Sequence, residues 1–177
     1  MTTTIRKGVT YGPHGEVQSC LFCRILTKQE PGCIVYENED VVAFKTIAPA
    51  TENHVLICPR KHIQNYHSLS GPSGARLVRS LVDAGRIVLG ADAVGAQWSF
   101  HIPPFNSIDH LHMHAIGQRE TLGLINGLKY WEGSYWCKGA EAAINELEQT
   151  LDRPEPVATS CSTNIQPDVC TVQRSRL

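Results

Sequence analysis

Residues 109–117, DHLHMHAIG, carry His110, His112 and His114 at alternate positions, separated by Leu111 and Met113. The chain holds eight histidines, so three within five residues demand a chemical reason. Successive side chains of a β-strand point to opposite faces. The three imidazoles then share one face, about 6–7 Å apart along it. Leu111, Met113 and Ala115 share the other and can enter a core. A neutral imidazole, with an ordinary pKa near ~6.5, is a nucleophile at pH 7 without help from a strong base. Attack through one ring nitrogen requires the proton on the other, where a backbone carbonyl or a neighbouring histidine can hold it. A second histidine can donate to a phosphate oxygen. Such a row suits covalent catalysis at phosphorus through a phosphohistidine type of intermediate. It equally suits a metal such as zinc, or a solvated face with no task.

A second constellation is Cys20-x-x-Cys23. On its own it reads as half a zinc site, a redox pair, or two ordinary thiols on a helix turn. Seven cysteines occur, an odd number, and "MTTTIRKGVTYGPHGE" has no apolar core of a secretory signal. Thiols and metal ligands are therefore expected rather than a disulfide framework, in a cytoplasmic or nuclear protein.

The elements that must position these residues follow from pattern. Ser19 can cap a short helix over 20–28. GCIVYENED reads as a strand and a turn at 37–40, VVAFKTI as a second strand, and HVLICP (54–59) as a third. A long helix is expected at 73–91, where Leu77, Val78, Leu81, Val82, Ala84 and Val88 recur at helical spacing. AQWSFHI (96–102) and HLHMHAI (110–116) complete five strands. Residues 118–137 mix glycine with aromatics and show no period, and 139–151 is a helix of good formers. The sum is an α+β fold: a five-stranded, mainly antiparallel sheet with one long helix and short flanking helices. Residues 1–18 are polar and expected to be loosely ordered. Residues 153–177, rich in Pro, Ser, Thr and Gln, read as a disordered tail.

The chain's 177 residues, 42% hydrophobic and 19% charged, suit one domain plus tails. A formal net charge of −1 supplies no global basic field for a nucleic-acid backbone. No apolar run approaches the roughly 20 residues of a membrane helix.

The triad stretch resembles the histidine triad superfamily, whose motif is His-φ-His-φ-His-φ-φ with φ apolar; here it reads His110-Leu-His112-Met-His114-Ala-Ile. CLFCRI followed by VYENEDVVAFKTIAPATENHVLICPRKHI, then FHIPPFNSIDHLHMH and the later SYW, extends the resemblance to the nucleotide-binding branch over about 19–151. It implies a histidine triad domain over 19–152, a homodimer, and a small-molecule nucleotide substrate, with AMP released from a phosphoramidate. No cofactor is then required for chemistry. His112 is implied as the nucleophile, His114 as a phosphate contact, His110 as support, and His54 as the histidine that orients the nucleophile. Ser107 corresponds to a serine near the phosphate and leaving group. Phe22, Phe44 and Ile47 match positions that line the nucleoside pocket, or serve as ordinary core. Some relatives join the cysteine pair to two histidines, here His62 and His110, which makes Cys20, Cys23, His62 and His110 a candidate structural zinc site.

Two departures stand out. Thr46 occupies the position where the family commonly has an Asp on the ribose hydroxyls, and a threonine offers only a weaker contact. PPF at 103–105 replaces a glycine-rich approach to phosphate. His101 reads as a surface strand histidine, and His14 and His67 as solvated. Tyr130, Trp131, Tyr135 and Trp136 either stack on substrate or anchor their segment to the core. Competing readings are an aprataxin-like hydrolase of 5'-adenylated DNA, which lacks basic and zinc-finger support here, a dinucleoside polyphosphate hydrolase, and a nucleotide- or zinc-binding adaptor without turnover.

Overall fold

The structure, a computed structural model, describes residues 3–150, so the expected tail at 153–177 lies outside the described residues. It begins with a hairpin. Lys7 and Gly8 both take positive φ, 46° and 69°, as a two-residue primed turn requires, and Arg6 pairs with Val9. Strands β1 (Thr4–Arg6), β2 (Val9–Tyr11) and β3 (Val17–Cys20) form a three-stranded antiparallel sheet. These strands fall largely within the segment that composition alone reads as loosely ordered. Strands of three and four residues are too short to show a period of two, and β1 is exposed throughout. Helix α1 (Leu21–Leu26) follows directly. Its cap position is Cys20, and Ser19 instead accepts a hydrogen bond from Arg24 Nη1 at 2.6 Å.

The main sheet contains β4 (Ile34–Glu37), β5 (Val41–Lys45), β6 (His54–Pro59), β7 (Gln97–His101), β8 (Met113–Ile116) and β9 (Cys137–Gly139). Its order is β4-β5-β6-β8-β7-β9, antiparallel throughout. It has six strands rather than the expected five. The sixth, β9, is three residues long, carries no pattern of its own, and covers the edge of β7, which would otherwise present unpaired backbone groups. Helix α3 (Leu124–Lys129) lies in the stretch without a period, and α4 (Ala140–Gln149) matches the expected last helix.

The alternation in each strand sorts side chains onto two faces. Val41, Ala43, Val55, Ile57, Phe100, Met113 and Ala115 pack in one core with the buried side of α2 (Gly71–Leu89). Full burial of each Val or Leu of that helix, such as Val78 and Leu81, contributes roughly 1.5–3 kcal/mol. Gly85 permits the close approach: a Cβ there would lie 2.4 Å from Trp98 and 2.9 Å from Ile57. On the opposite face Val42, Phe44, Leu56 and Cys58 form a second cluster with Val9, Cys20, Phe22 and Ile25 from the N-terminal sheet and α1. That second face carries the histidines. Among the described residues no helix is long and apolar enough to cross a membrane.

Candidate active site

Strand pairing brings the histidines together. Register sets His114 opposite Leu56 of β6 and Ser99 of β7, and His54 opposite Ile116. His110 and His112 precede β8, which is shorter than the expected strand at 110–116. There the Leu111 amide bonds Ile63 O at 2.6 Å, in the loop after β6, instead of entering the ladder. The alternation nonetheless holds: Leu111 is in the α2 core, and His110, His112 and His114 are buried on the other side.

Hydrogen bonds fix the proton on each ring. His112 Nδ1 lies 2.7 Å from the carbonyl oxygen of His110. A carbonyl only accepts, so Nδ1 carries the proton and Nε2 carries the lone pair. The Ala50 amide donates to His54 Nδ1 at 3.0 Å. His54 therefore holds its proton on Nε2 and donates it to His114 Nδ1, also at 3.0 Å. That leaves the proton of His114 on Nε2. The Nε2 atoms of His112 and His114 are both buried without a protein partner. One is a nucleophilic lone pair and the other an N–H donor, on rings whose centres are 5.2 Å apart. Burial pushes His54 and His112 each down to about 4. Burial, with neighbouring His112 next, also lowers His114 well below its ordinary value. All three rings are neutral at pH 7.

His54 thus bonds His114 rather than the proposed nucleophile. Phe22 stands edge-on to His112 with ring centres 5.3 Å apart, and meets Phe44 in the same way at 5.0 Å. Both phenylalanines are buried in the second cluster. Ile47 is fully exposed and Ser107 is exposed in its loop. Thr46 Oγ1 accepts from the Ala48 amide at 3.3 Å and so shapes the turn after β5.

His101 is not a surface residue. It is buried, its ring centre lies 4.6 Å from that of His114, and its Nε2 approaches Lys129 O at 3.3 Å. Tyr130 stacks on His101 and packs against His54 and His114, so this aromatic anchors the segment after the triad. Trp131 and Tyr135 are exposed. The signal for His101 was the alternation of Gln97, Ser99 and His101 on β7, which places them on the triad's face.

His110 turns away from the other two. Its Nε2 bonds Pro59 O at 2.9 Å, so Nδ1 carries the lone pair, and it lies 3.5 Å from both Cys20 Sγ and Cys23 Sγ. His62 Nδ1 is 3.5 Å from Cys23 Sγ. The four ligand atoms all lie within 4.8 Å of one another. A tetrahedral zinc with ordinary Zn–S and Zn–N bonds has sulfur–nitrogen edges of about 3.6 Å. The donor set, the His110 tautomer and the three sulfur–nitrogen edges of 3.5 Å fit that ion. The same contacts, with the bond from Cys23 first, hold the Cys20 thiol far below its ordinary pKa against the opposing effect of burial. A cavity of about 860 Å³ lies beyond this cluster, lined by Cys20, Cys23, His62 and the start of α2 rather than by His112.

Comparison with known proteins gives a consistent picture. A family model described as "Scavenger mRNA decapping enzyme C-term binding" matches residues 19–127. The chain is 34% identical over 140 residues to a Xenopus tropicalis protein named adenosine 5'-monophosphoramidase HINT3, covering 76% of this chain and 91% of that one. It is 36% identical over 137 residues to the Mus musculus protein of the same name, covering 74% and 82%. A third relative, from Arabidopsis thaliana, is named bifunctional adenosine 5'-phosphosulfate phosphorylase/adenylylsulfatase HINT4; it is 37% identical over 147 residues, covering 81% and 96%. Among solved structures, a HIT family hydrolase from Clostridium thermocellum superposes with a TM-score of 0.54 at 30% identity, covering 62% of this chain and 99% of that one.

Proposed function

The chain belongs to the histidine triad family, and from that premise we propose that it is a nucleotide phosphoramidate hydrolase that releases AMP through a nucleotidyl-His112 intermediate. One observation carries this reading. His112 Nε2 and His114 Nε2 are two buried, unpartnered atoms of opposite hydrogen-bonding character. The lone pair of His112 attacks the α-phosphorus, and the His114 N–H donates to a non-bridging oxygen as charge develops there. The P–N bond breaks, its electron pair goes to nitrogen, and the amine leaves with a proton from solvent. The His112 ring becomes cationic, and the His110 carbonyl accepts the Nδ1–H that shares that charge. Water then attacks phosphorus, the P–Nε2 bond breaks, its electrons return to His112, and AMP and a proton leave.

The test is turnover of AMP and GMP phosphoramidates, diadenosine polyphosphates and adenylated DNA by wild type and by His112→Ala, with intact mass spectrometry of wild type during turnover. An adenylyl adduct on the wild type and no turnover by the variant are expected. Full activity of His112→Ala would falsify the assignment. A panel with neither adduct nor turnover favours the adaptor reading. The name of the Arabidopsis relative favours a second reading at the same His112, cleavage of adenosine 5'-phosphosulfate, which belongs in the same panel.

The proposal includes a structural zinc on Cys20, Cys23, His62 and His110. When bound, the ion supplies a brace between α1 and the triad, and His110 keeps its proton on Nε2 for Pro59 O. Elemental analysis of protein purified without added metal checks it, and zinc well below one equivalent would sink the site. The family's homodimer is part of the same reading, checked by light scattering on the purified chain.

A further inference from the structure

The family match starts at residue 19, yet residues upstream of it grip the segment that leads into the triad. Asp109 immediately precedes His110, and its side chain is only 4% exposed. A carboxylate buried this far is costly unless donors surround it. Its Oδ2 accepts from Arg6 Nε at 2.7 Å and from the Tyr11 hydroxyl at 3.1 Å, and its Oδ1 accepts from Asn106 Nδ2 at 2.9 Å. Its backbone amide donates to Lys7 O at 3.0 Å. Lys7 Nζ in turn donates to Asn106 Oδ1 and Pro104 O, both at 2.5 Å. Lys7 and Gly8 are the turn residues of the β1–β2 hairpin, so the tight turn itself delivers these groups to the loop at 103–109. Gly8 suits this turn by its positive φ, and a Cβ there would lie 2.8 Å from Ile108 Cδ1, which would have to move aside.

The peptide one residue on from Asp109 matters for chemistry. The His110 carbonyl is the acceptor that keeps the His112 proton on Nδ1. We propose that the N-terminal hairpin is a working part of the site, and that Asp109, held by Arg6, Tyr11 and Asn106, is a positioning residue that aims the His110 carbonyl at His112 and thereby sets the tautomer of the nucleophile. The clamp acts through the backbone and touches no substrate. Its catalytic consequence rests on the function proposed above; its tautomeric consequence does not.

The experiment combines ¹⁵N chemical shifts of the His112 ring at neutral pH with steady-state kinetics on an AMP phosphoramidate. It uses full-length wild type, Asp109→Ala and the milder Arg6→Gln, whose arginine is half exposed. Wild type is expected to show a protonated Nδ1 and an unprotonated Nε2. Asp109→Ala is expected to show exchange between the two tautomers and a kcat lowered on the order of tenfold to a hundredfold, the span of a lost charge-assisted hydrogen bond, with KM little changed. Arg6→Gln is expected to move both readouts in the same direction by less. If Asp109→Ala fails to fold, Arg6→Gln alone decides. Wild-type ring shifts and wild-type kcat in a folded variant overturn the clamp, even if its melting temperature has dropped. Absence of turnover by the wild type defeats the proposed function instead, and the ring shifts still judge the clamp.

Discussion

His54→Phe removes one proton donor and tests the relay that runs from Ala50 to His114. In the wild type the His54 Nε2–H donates to His114 Nδ1 at 3.0 Å, which forces the His114 proton to Nε2. Phenylalanine fills similar space against Tyr130, with which His54 now packs at 5.5 Å between ring centres, but it cannot donate. An unsatisfied buried acceptor at His114 Nδ1 costs about 1–3 kcal/mol. Moving the proton from Nε2 to Nδ1 relieves part of the electrostatic mismatch, because the lone pair then turns toward the site. His114 and His112 would then both present lone pairs to a phosphate, and the donor that meets developing charge would be gone. Loss of one such preorganised donor costs about 2.7–4 kcal/mol, or on the order of 10²–10³ in kcat. The assay is single-turnover and steady-state hydrolysis of an AMP phosphoramidate, with adduct formation followed by quenched-flow mass spectrometry. His54→Gln, whose amide can donate to the same nitrogen, is expected to recover part of the loss. Wild-type kcat in His54→Phe would refute the relay, as would a His54→Gln variant no faster than His54→Phe in a protein that folds normally.

Other consequences are equally open to measurement. His54 has a folded pKa of about 4, below the ~6.5 of an unfolded imidazole. The unfolded state therefore binds the proton first, and the stability from this group is present above pH ~6.5 and lost as pH falls toward 4, on the order of 3 kcal/mol in all. Urea melts from pH 7 to 4 should show that decline, with a smaller one in His54→Phe. Gly85→Ala pushes a methyl against Trp98 and Ile57 and is expected to cost about 1–3 kcal/mol of unfolding free energy, read by chemical denaturation. Thr46→Asp restores a carboxylate at the ribose position of the family, and calorimetric titration with AMP should show tighter binding than wild type. Equal affinities would mean that Thr46 is not at the ribose.

How much was legible in the sequence differs by element, for physical reasons. The long helix announces itself through hydrophobic period, because it buries one face against a large core, and the strands at 41–45 and 54–59 through continuous apolar runs, because both of their faces are buried. Strands β1, β2 and β9 do not, since three residues hold too few alternations and their stability comes from partners far along the chain. The Lys7-Gly8 turn joins strands of only three residues each, too short for an alternating pattern to mark it as a hairpin. His101 reads as a surface residue in the sequence because the face of a strand is visible locally, whereas what covers that face is not; Tyr130, 29 positions later, does the covering.

The sequence by itself determined that three imidazoles share one face with apolar residues behind them, because strand geometry is local and has a period of two. It also determined the family, since the motif and its spacing suffice for that. Only the tertiary structure decided what each imidazole bonds. Which nitrogen keeps its proton depends on the partner each ring meets: Pro59 O accepts from His110, His54 donates to His114 through the Ala50–His54 relay, and His112 donates to the His110 carbonyl, in a segment held by the N-terminal hairpin. A hydrogen-bond partner is a matter of position to within a few tenths of an ångström, and no local pattern of residue types encodes positions across a sheet.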